Sequence, residues 1–322
     1  MAEMNMVEAV RHVLDQEMGR DKDVILYGED IGKNGGVFRT TDGLQKKYGE
    51  KRVIDSPLAE VGIIGTAIGM AAYGLKPVVE IQFSGFAYAG LENLISHAAR
   101  IRNRTRGMFT CPMVMRTPYG GGIRALEHHS ESVESLYIHI PGLKVVIPST
   151  PYEAKGLLAS AIRDPDPVIF LEPKRVYRSI KEEVPSKSYT IPLGKCRIVQ
   201  HGSDITVITW GAMLKYTMEA LAKMDISAEV IDVRTLSPFD EKTVIDSVKK
   251  TGRAVIVQEA VKTLGFASEI IARINEKALL SLEAPVKRIT APDIIFPLFK
   301  LENEYLPGEE DIIKGIKEVL EF

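Results

Sequence analysis

The sequence is poor in the features that mark special classes of protein. Its 322 residues include two cysteines, Cys111 and Cys196, and neither has a partner at the spacing of a redox or zinc motif. So few cysteines exclude a disulfide scaffold and fit a reducing compartment. No apolar run approaches the roughly 20 residues of a membrane helix. No targeting segment is visible at the start, so we expect a cytoplasmic protein.

The chain also lacks an excess of charge of either sign. It has 41 basic and 43 acidic residues, which gives a formal net charge of −2. A surface that binds nucleic acid or anionic lipid normally shows as a basic excess, so we expect neither a nucleic-acid nor a membrane partner. Small-molecule chemistry and protein assembly remain as the functions to consider.

What the sequence does contain is an alternation of short apolar runs with helical patterns, in two blocks. Near-continuous apolar strands that alternate with helices are typical of parallel sheets covered on both faces. A charged stretch punctuated by prolines separates the blocks and is typical of a linker. The sequence therefore predicts an α/β protein of two doubly wound domains with mostly parallel sheets, at residues 1–180 and 204–322, joined by a linker at 181–203.

Ligands of open parallel sheets bind beyond the carboxyl ends of the strands, so loops at strand ends are the place to search. Glu60 is the only acid between Asp55 and Glu80, within a stretch of small and apolar residues. Burial of its carboxyl group would raise the pKa and suit it to proton transfer. An acid in the first turn of a helix, stabilised by the helix dipole, explains the same position without any ligand. Both interpretations remain open.

Two further loops contain candidate residues. Phe86 follows a predicted strand and either presents its ring to a flat ligand or belongs to the core. His128 and His129 come after three consecutive glycines, and imidazole exchanges protons near neutral pH. A zinc site or a surface histidine are the alternatives, although no second His/Cys pair lies at ligand spacing. The sequence has no nucleophile elbow, no Walker A motif and no cysteine-histidine catalytic signature.

Eight motifs along nearly the whole chain resemble, in the same order, the beta subunit of the decarboxylating, thiamine-diphosphate-dependent component of 2-oxo acid dehydrogenase complexes. The motifs are Tyr27-Gly-Glu-Asp30, Asp55-Ser-Pro-Leu-Ala-Glu60, Glu80-Ile-Gln-Phe83, His129-Ser130, Pro141-Gly-Leu-Lys-Val-Val146, Ser160-Ala-Ile-Arg-Asp164, Asp232-Val-Arg-Thr235 and Ala291-Pro-Asp293. The resemblance implies a transketolase-like pyrimidine-binding domain followed by a transketolase C-terminal-like domain.

The resemblance also implies roles for single residues. Glu60 corresponds to the acid that hydrogen-bonds ring nitrogen N1′ of thiamine diphosphate, and Phe86 to the residue that stacks on the aminopyrimidine ring. His129 corresponds to the residue that positions the intermediate and donates protons during acyl transfer to lipoamide. Since His128 precedes it directly, the resemblance leaves open which of the two rings faces the cofactor.

The substrate follows from two positions in the implied cofactor site, Leu58 and Gln82. Both match relatives that accept branched-chain 2-oxo acids, so we expect that substrate class, with pyruvate and acetoin dehydrogenases as alternatives. A nicotinamide-dependent dehydrogenase would require a glycine-rich turn after the first strand, where this chain has acids that repel a pyrophosphate. A non-catalytic scaffold or binding subunit is the remaining alternative class.

Partners are implied by what the chain lacks. Thiamine diphosphate enzymes hold the diphosphate and Mg²⁺ with a Gly-Asp-Gly motif, which this sequence does not contain. The resemblance assigns that motif to a separate alpha subunit, so the chain is expected to act only in an α2β2 heterotetramer. It also implies that the lipoyl acyltransferase core docks through its subunit-binding domain, with a basic residue that meets Asp293 and the carboxylate of Phe322.

The resemblance further implies a structural potassium ion. Relatives bind it with carbonyl groups and an acid around the Ser-Ala-Ile-Arg-Asp motif, and hard oxygen ligands suit such a cation. The residues at the corresponding positions are Met113, Ala161, Ile162, Asp164 and Asp166.

Overall fold

A computed structural model describes residues 1–322 of the protein. The strands are β1 (Ala2–Met4), β2 (Val24–Gly28), β3 (Val53–Asp55), β4 (Lys76–Glu80), β5 (Val114–Tyr119), β6 (Lys144–Val146), β7 (Val168–Pro173), β8 (Glu182–Val184), β9 (Arg197–Gln200), β10 (Ile205–Thr209), β11 (Ala228–Asp232), β12 (Thr235–Ser237), β13 (Ala254–Val261) and β14 (Lys287–Ala291). The α-helices are α1 (Met6–Arg20), α2 (Leu44–Tyr48), α3 (Glu60–Ala72), α4 (Leu91–Asn93), α5 (Ile101–Arg104), α6 (Glu134–Ile138), α7 (Pro151–Arg163), α8 (Ala212–Leu221), α9 (Glu241–Thr251), α10 (Phe266–Ala278), α11 (Glu302–Tyr305) and α12 (Glu309–Leu320). None of these helices is both long enough and apolar enough to cross a bilayer.

The N-terminal domain is built on a seven-stranded sheet in the order β12-β6-β7-β5-β4-β2-β3. All its strands are parallel except β12, which pairs antiparallel with β6. Successive side chains of a strand point to opposite faces, so Val78 packs into the cluster formed with α1 and α7, and Val79 into the cluster formed with α3. Helices therefore cover both faces, as the sequence predicts.

The C-terminal domain has a five-stranded sheet in the order β14-β13-β10-β11-β9, in which only β9 is antiparallel to its neighbour. One buried cluster continues from α3 of the N-terminal domain, through Trp210 and Leu236, to α9 and α10 of the C-terminal domain. The two sheets therefore share a core, and the loops at their edges are held at fixed positions relative to each other.

The segment at 181–203, predicted as a linker, contains two short strands. β8 pairs with β1, and β9 forms the outer strand of the C-terminal sheet next to β11. Val184 and Ile191 are buried against the N-terminal domain, so the segment is attached along its length despite its charges and prolines. The chain between β4 and β5 does not form one continuous α-helix, because it contains a 3-10 helix at Ser84–Gly90 and a π-helix at Leu94–Ala98.

A buried ion network joins the carboxyl ends of three neighbouring strands. Arg116 of β5 donates two parallel hydrogen bonds to Glu172 of β7, at 2.7 and 2.8 Å, and contacts Glu80 of β4 on its other side. All three side chains are buried. Thr40 donates to Glu80, and the Tyr177 hydroxyl donates to Glu172 at 2.5 Å. A buried guanidinium with paired carboxylates fixes geometry more than it adds stability.

Replacing Arg116 by methionine should lower the free energy of unfolding by about 3–5 kcal/mol, because Glu80 and Glu172 would stay buried without their cation. Urea unfolding at pH 7 measures the change. Arg100→Met is the matched control, since Arg100 is exposed, and should stay within about 0.5 kcal/mol of the wild type. An Arg116→Met protein as stable as the control would contradict the assignment of charge to this network.

Candidate active site

Three loops leave the strands that Arg116 joins. The loop after β4 forms the 3-10 helix Ser84–Gly90, which carries Phe86. The loop after β5, which we call the histidine loop (residues 120–131), carries His128 and His129. The loop after β7 begins with Lys174. Because the three strands are parallel neighbours, their loops meet at one edge of the sheet.

Phe86 and His129, which the sequence places in separate motifs, lie against each other. Their ring centroids are 5.1 Å apart with planes inclined at 77°, and Phe83 lies 4.3 Å from the imidazole on another side. The backbones approach closely as well, since a Cβ added at Gly85 would lie 2.5 Å from the carbonyl oxygen of His128. This contact explains why a glycine precedes Phe86.

Glu60 reaches the same region from α3, of which it is the first residue. The 3-10 helix packs on the start of α3, and a Cβ added at Gly90 would lie 3.3 Å from the Glu60 carbonyl oxygen. Glu60 is half-buried rather than buried, because the turn before it is at the surface and Leu58 is 73% exposed. The chain therefore encloses this carboxylate on one side only.

Glu29, in the loop after β2, is a second acid at this edge that sequence reasoning missed. Burial raises the pKa of Glu29, and the charges of Asp30 and Glu60 raise it further. The two carboxylates of Glu29 and Glu60 are thus close enough to interact. The available signal was the position of Glu29 directly after a buried strand, in the Tyr27-Gly-Glu-Asp30 motif.

His129 is the histidine better placed for proton exchange. Burial lowers its pKa, the positive charges of Lys174 and His128 lower it further, and Glu127 opposes them. The imidazole is therefore neutral at neutral pH, and its buried Nδ1 has no hydrogen-bond partner in the chain. His128 is more exposed, and its ring centroid is 6.5 Å from Phe86. The geometry favours His129 over His128 as the ring that faces the site.

Lys174 is a buried basic residue that no sequence motif indicates. Its side chain donates to the carbonyl oxygen of Gly120 and lies 5.9 Å from the ring centroid of Phe83. Burial lowers the pKa of Lys174 to about 7, against the opposing attraction of Glu259 and Glu302. The local sequence does not signal this environment, because the acids that oppose the shift lie in the C-terminal domain.

Gln82 lies between β4 and the 3-10 helix and is half-buried, whereas Leu58 extends from the turn before α3 into solvent. The sequence groups both with Glu60 and Phe86. Of these two residues, only Gln82 is partly enclosed by the chain. No part of the chain covers the side chain of Leu58.

The residues predicted to hold potassium come together at the opposite end of the sheet, but their carboxylates are already paired. Asp164 accepts two hydrogen bonds from Lys144, at 2.7 and 2.6 Å. Asp166 accepts a 2.5 Å hydrogen bond from Arg102. Each acid is thus neutralised by a cation of the chain itself, and the residues do not fit a potassium ion bound through these carboxylates.

Asp293 and Phe322, predicted to meet one basic residue of the acyltransferase core, lie at opposite ends of β14. Asp293 follows the strand and accepts hydrogen bonds from Thr263, at 2.8 and 2.7 Å. The ion pair between Lys287 and Glu318 places the end of α12, and with it Phe322, near the start of the strand. Six residues of extended chain span roughly 20 Å. One basic side chain therefore cannot contact both groups of a single copy.

Comparison with known proteins gives consistent matches. The family model "Transketolase, pyrimidine binding domain" matches residues 2–179, and "Transketolase, C-terminal domain" matches residues 194–312. A protein of Acholeplasma laidlawii named pyruvate dehydrogenase E1 component subunit beta is 54% identical over 99% of this chain and 98% of its own length. A protein of the same name from Bacillus subtilis is 51% identical over the full length of both chains.

Among solved structures, a split-gene transketolase described as an inactive beta4 tetramer superimposes with a TM-score of 0.81. The alignment covers 99% of this chain and 98% of that one, at 20% sequence identity. At this level of identity the match shows the fold, which is the transketolase-like arrangement of two α/β domains that the sequence predicts.

The pKa of His129 should be measurably below the ordinary value of about 6.5 for histidine. Six histidines make the chain suitable for NMR titration with ¹³C-labelled histidine, and a His129→Gln variant assigns the signal. Lys174→Met should raise the pKa of His129 because it removes a nearby positive charge, while Lys51→Met, at an exposed lysine, should not. A pKa of His129 at or above 6.5 in the wild type would contradict the electrostatics described above.

Proposed function

The chain belongs to the family of beta subunits of thiamine-diphosphate-dependent 2-oxo acid dehydrogenases, and we propose that it is the beta subunit of a cytoplasmic pyruvate dehydrogenase. The observation that carries the proposal is the packing of Phe86 against His129 at one edge of the N-terminal sheet, on a 3-10 helix whose end also approaches the backbone of Glu60. A scaffold or binding subunit would have no need of an acid, an aromatic ring and a neutral imidazole at the same strand ends.

Pyruvate replaces the branched-chain substrates expected from Leu58 and Gln82. The relatives at 54% and 51% identity are both named for pyruvate dehydrogenase, which supports the alternative rather than the first expectation. Leu58 is largely exposed in this chain, so the wall opposite it, and with it the size of the acyl pocket, depends on another subunit. Two residues on one side of a pocket are therefore a weak guide to the substrate.

The residues present fit the pyrimidine ring of thiamine diphosphate. Phe86 is half-buried, so part of its ring is free to stack on a flat ligand. Glu60 can accept or share a proton with a ring nitrogen, and the unpaired Nδ1 of His129 marks an enclosed polar position. When bound, thiamine diphosphate supplies the electron sink that permits loss of carbon dioxide from a 2-oxo acid.

Each residue then has a definite task. The Glu60 carboxylate orients the ring and holds a proton at its nitrogen, while Phe86 fixes the plane of the ring. His129 is neutral at neutral pH and can take up a proton. A lowered pKa makes the protonated imidazole a better acid, which suits it to return that proton during acyl transfer to a lipoyl group.

The site requires a second chain. Glu60 is open on one side, and Leu58 and Val61 next to it are exposed apolar side chains. The sequence also lacks the Gly-Asp-Gly motif for Mg²⁺ and the diphosphate. We therefore propose an alpha subunit as the partner, in an α2β2 heterotetramer. Docking of the lipoyl acyltransferase core is proposed at Asp293, with Phe322 as a separate contact.

The experiment is reconstitution. The chain alone should not decarboxylate 2-oxo acids in the presence of thiamine diphosphate, Mg²⁺ and an artificial electron acceptor, whereas the chain with its alpha partner should. Comparison of kcat/KM for pyruvate, a branched-chain 2-oxo acid and acetoin identifies the substrate. Activity of the isolated chain, or no activity of the pair with any of them, would overturn the proposal.

Glu60→Gln should lower the decarboxylation rate of the reconstituted pair by a factor of about 10²–10⁴, the range for loss of a positioned proton-transfer group. Glu92→Gln is the matched control, because Glu92 is an exposed acid in the first turn of α4. Size-exclusion chromatography verifies that both variants still assemble with the alpha subunit. Retention of most of the activity in Glu60→Gln would show that Glu60 does not handle the proton.

A further inference from the structure

The histidine loop is attached to the C-terminal domain by a carboxylate on α11. Glu302 accepts a hydrogen bond from the backbone N–H of Gly122 at 3.1 Å, and its other oxygen accepts one from the N–H of Arg124 at 2.9 Å. Glu302 is 3% exposed and lies about 180 residues further along the chain than the loop that it contacts. Both of its oxygens are thus occupied by the main chain of the other domain.

A second carboxylate of the C-terminal domain, that of Glu259, binds the same loop next to Glu302. Glu259 on β13 is 4% exposed and accepts a 2.7 Å hydrogen bond from the N–H of Gly121. The hydroxyl of Ser132, just beyond the loop, donates to the same oxygen at 3.3 Å. The other oxygen lies 3.6 Å from the guanidinium of Arg175. The start and the end of the loop are therefore held by one side chain.

The glycines of the loop are shaped for this contact. A Cβ added at Gly121 would lie 2.6 Å from a methyl carbon of Leu306, so a larger residue would require the side chain of Leu306 to move. Gly122 has a φ of +108°, a conformation that other residues rarely adopt. The consecutive glycines thus allow the loop to pack closely against the C-terminal domain.

The two carboxylates and the loop depend on each other energetically. A buried carboxylate is stable only when hydrogen-bonded or paired, and the loop supplies three backbone N–H groups. Two basic side chains lie beside the group: Lys174 donates to the carbonyl oxygen of Gly120, and the guanidinium of Arg175 lies 3.6 Å from Glu259. If the loop moved away, Glu259 and Glu302 would remain buried without these donors.

Movement of the anchored segment would also move His129. The loop is closed on itself by a hydrogen bond from the Gly120 N–H to the carbonyl of Glu131. Within it, the N–H of His129 donates to Leu126 and the hydroxyl of Ser130 donates to Ala125. The residues after Arg124 therefore follow the anchored part as a compact unit.

We propose that Glu302 and Glu259 are positioning residues, which hold the histidine loop so that His129 stays against Phe86. The C-terminal domain then contributes to the site by holding His129, a residue of the N-terminal domain, in position. This inference rests on the proposed function only for the step in which His129 acts.

The first test uses the chain alone and needs no cofactor. Glu302→Gln keeps the size of the side chain but turns one acceptor into an NH₂ donor, which opposes a backbone N–H. The loop should loosen, and the pKa of His129 in an NMR titration should rise toward its ordinary value as its burial decreases. Glu304→Gln, at an exposed residue of the same helix, should leave the signal of His129 unchanged.

Glu259→Gln is a second variant, for which we expect a smaller change in the pKa of His129. Its remaining oxygen can still accept from Gly121, so the pKa of His129 should move in the same direction but less than in Glu302→Gln. If Glu302→Gln fails to fold, as shown by loss of its cooperative urea transition, Glu259→Gln carries the test. An unchanged His129 signal in the folded variants would overturn the proposal.

The second test uses the pair reconstituted with the alpha subunit. Misplacement of a catalytic group by about 1 Å costs up to roughly 100-fold in rate. Glu302→Gln should therefore reduce acyl transfer to a lipoyl domain by roughly 10- to 100-fold, and by more than it reduces decarboxylation with an artificial acceptor. Adding Glu302→Gln to a His129→Gln protein should cause little further loss, because both changes act through one residue.

The outcomes separate the two ideas. A wild-type pair without any activity, combined with a shifted His129 pKa in Glu302→Gln, overturns the proposed function and leaves the positioning role standing. An active wild-type pair in which Glu302→Gln transfers acyl groups normally overturns the positioning role alone. Losses that multiply in the double variant would also overturn it, since Glu302 would then act independently of His129.

Discussion

The buried guanidinium of Arg116 is the constraint on which the rest of the site depends. It fixes the carboxyl ends of β4, β5 and β7 to one another by pairing with Glu80 and Glu172. The loops with Phe86, the histidines and Lys174 start from those three ends. A guanidinium with two carboxylates has one geometry, so the loops begin from defined positions.

Above this network, the site is shaped by electrostatics that come from both domains. Lys174 and His129 share a poorly hydrated region, where burial lowers the pKa of both and the charge of Lys174 lowers the pKa of His129 further. The carboxylates of Glu259 and Glu302 are close enough to offset part of this effect on the lysine. The result is a neutral imidazole beside a lysine that is itself near its point of titration. The protein as a whole is thus nearly neutral, although acidic and basic side chains interact strongly within this site.

Candidate residues marked by a local sequence pattern could be proposed from the sequence, whereas contacts between residues far apart in the chain could not. Glu60, Phe86 and His129 stand out because each follows a strand or glycine turn whose pattern is visible over about ten residues. Glu259 and Glu302 meet the histidine loop across 138 and 180 residues of chain, respectively, a separation at which no periodicity carries information. The same applies to the fold. Long apolar strands were predicted, whereas three-residue β12 exists only because it finds an edge in the other domain.

That strand has a consequence for how the protein can be divided. β12 belongs by sequence to the C-terminal half but completes the N-terminal sheet beside β6, and Trp210 lies in the core that both halves share. A protein fragment that ends near residue 200 would leave the edge of β6 unpaired and would expose the apolar residues that the C-terminal domain normally covers. The two domains therefore have to be inherited together. A recombination breakpoint between them would give two proteins that each lack part of the shared sheet and core.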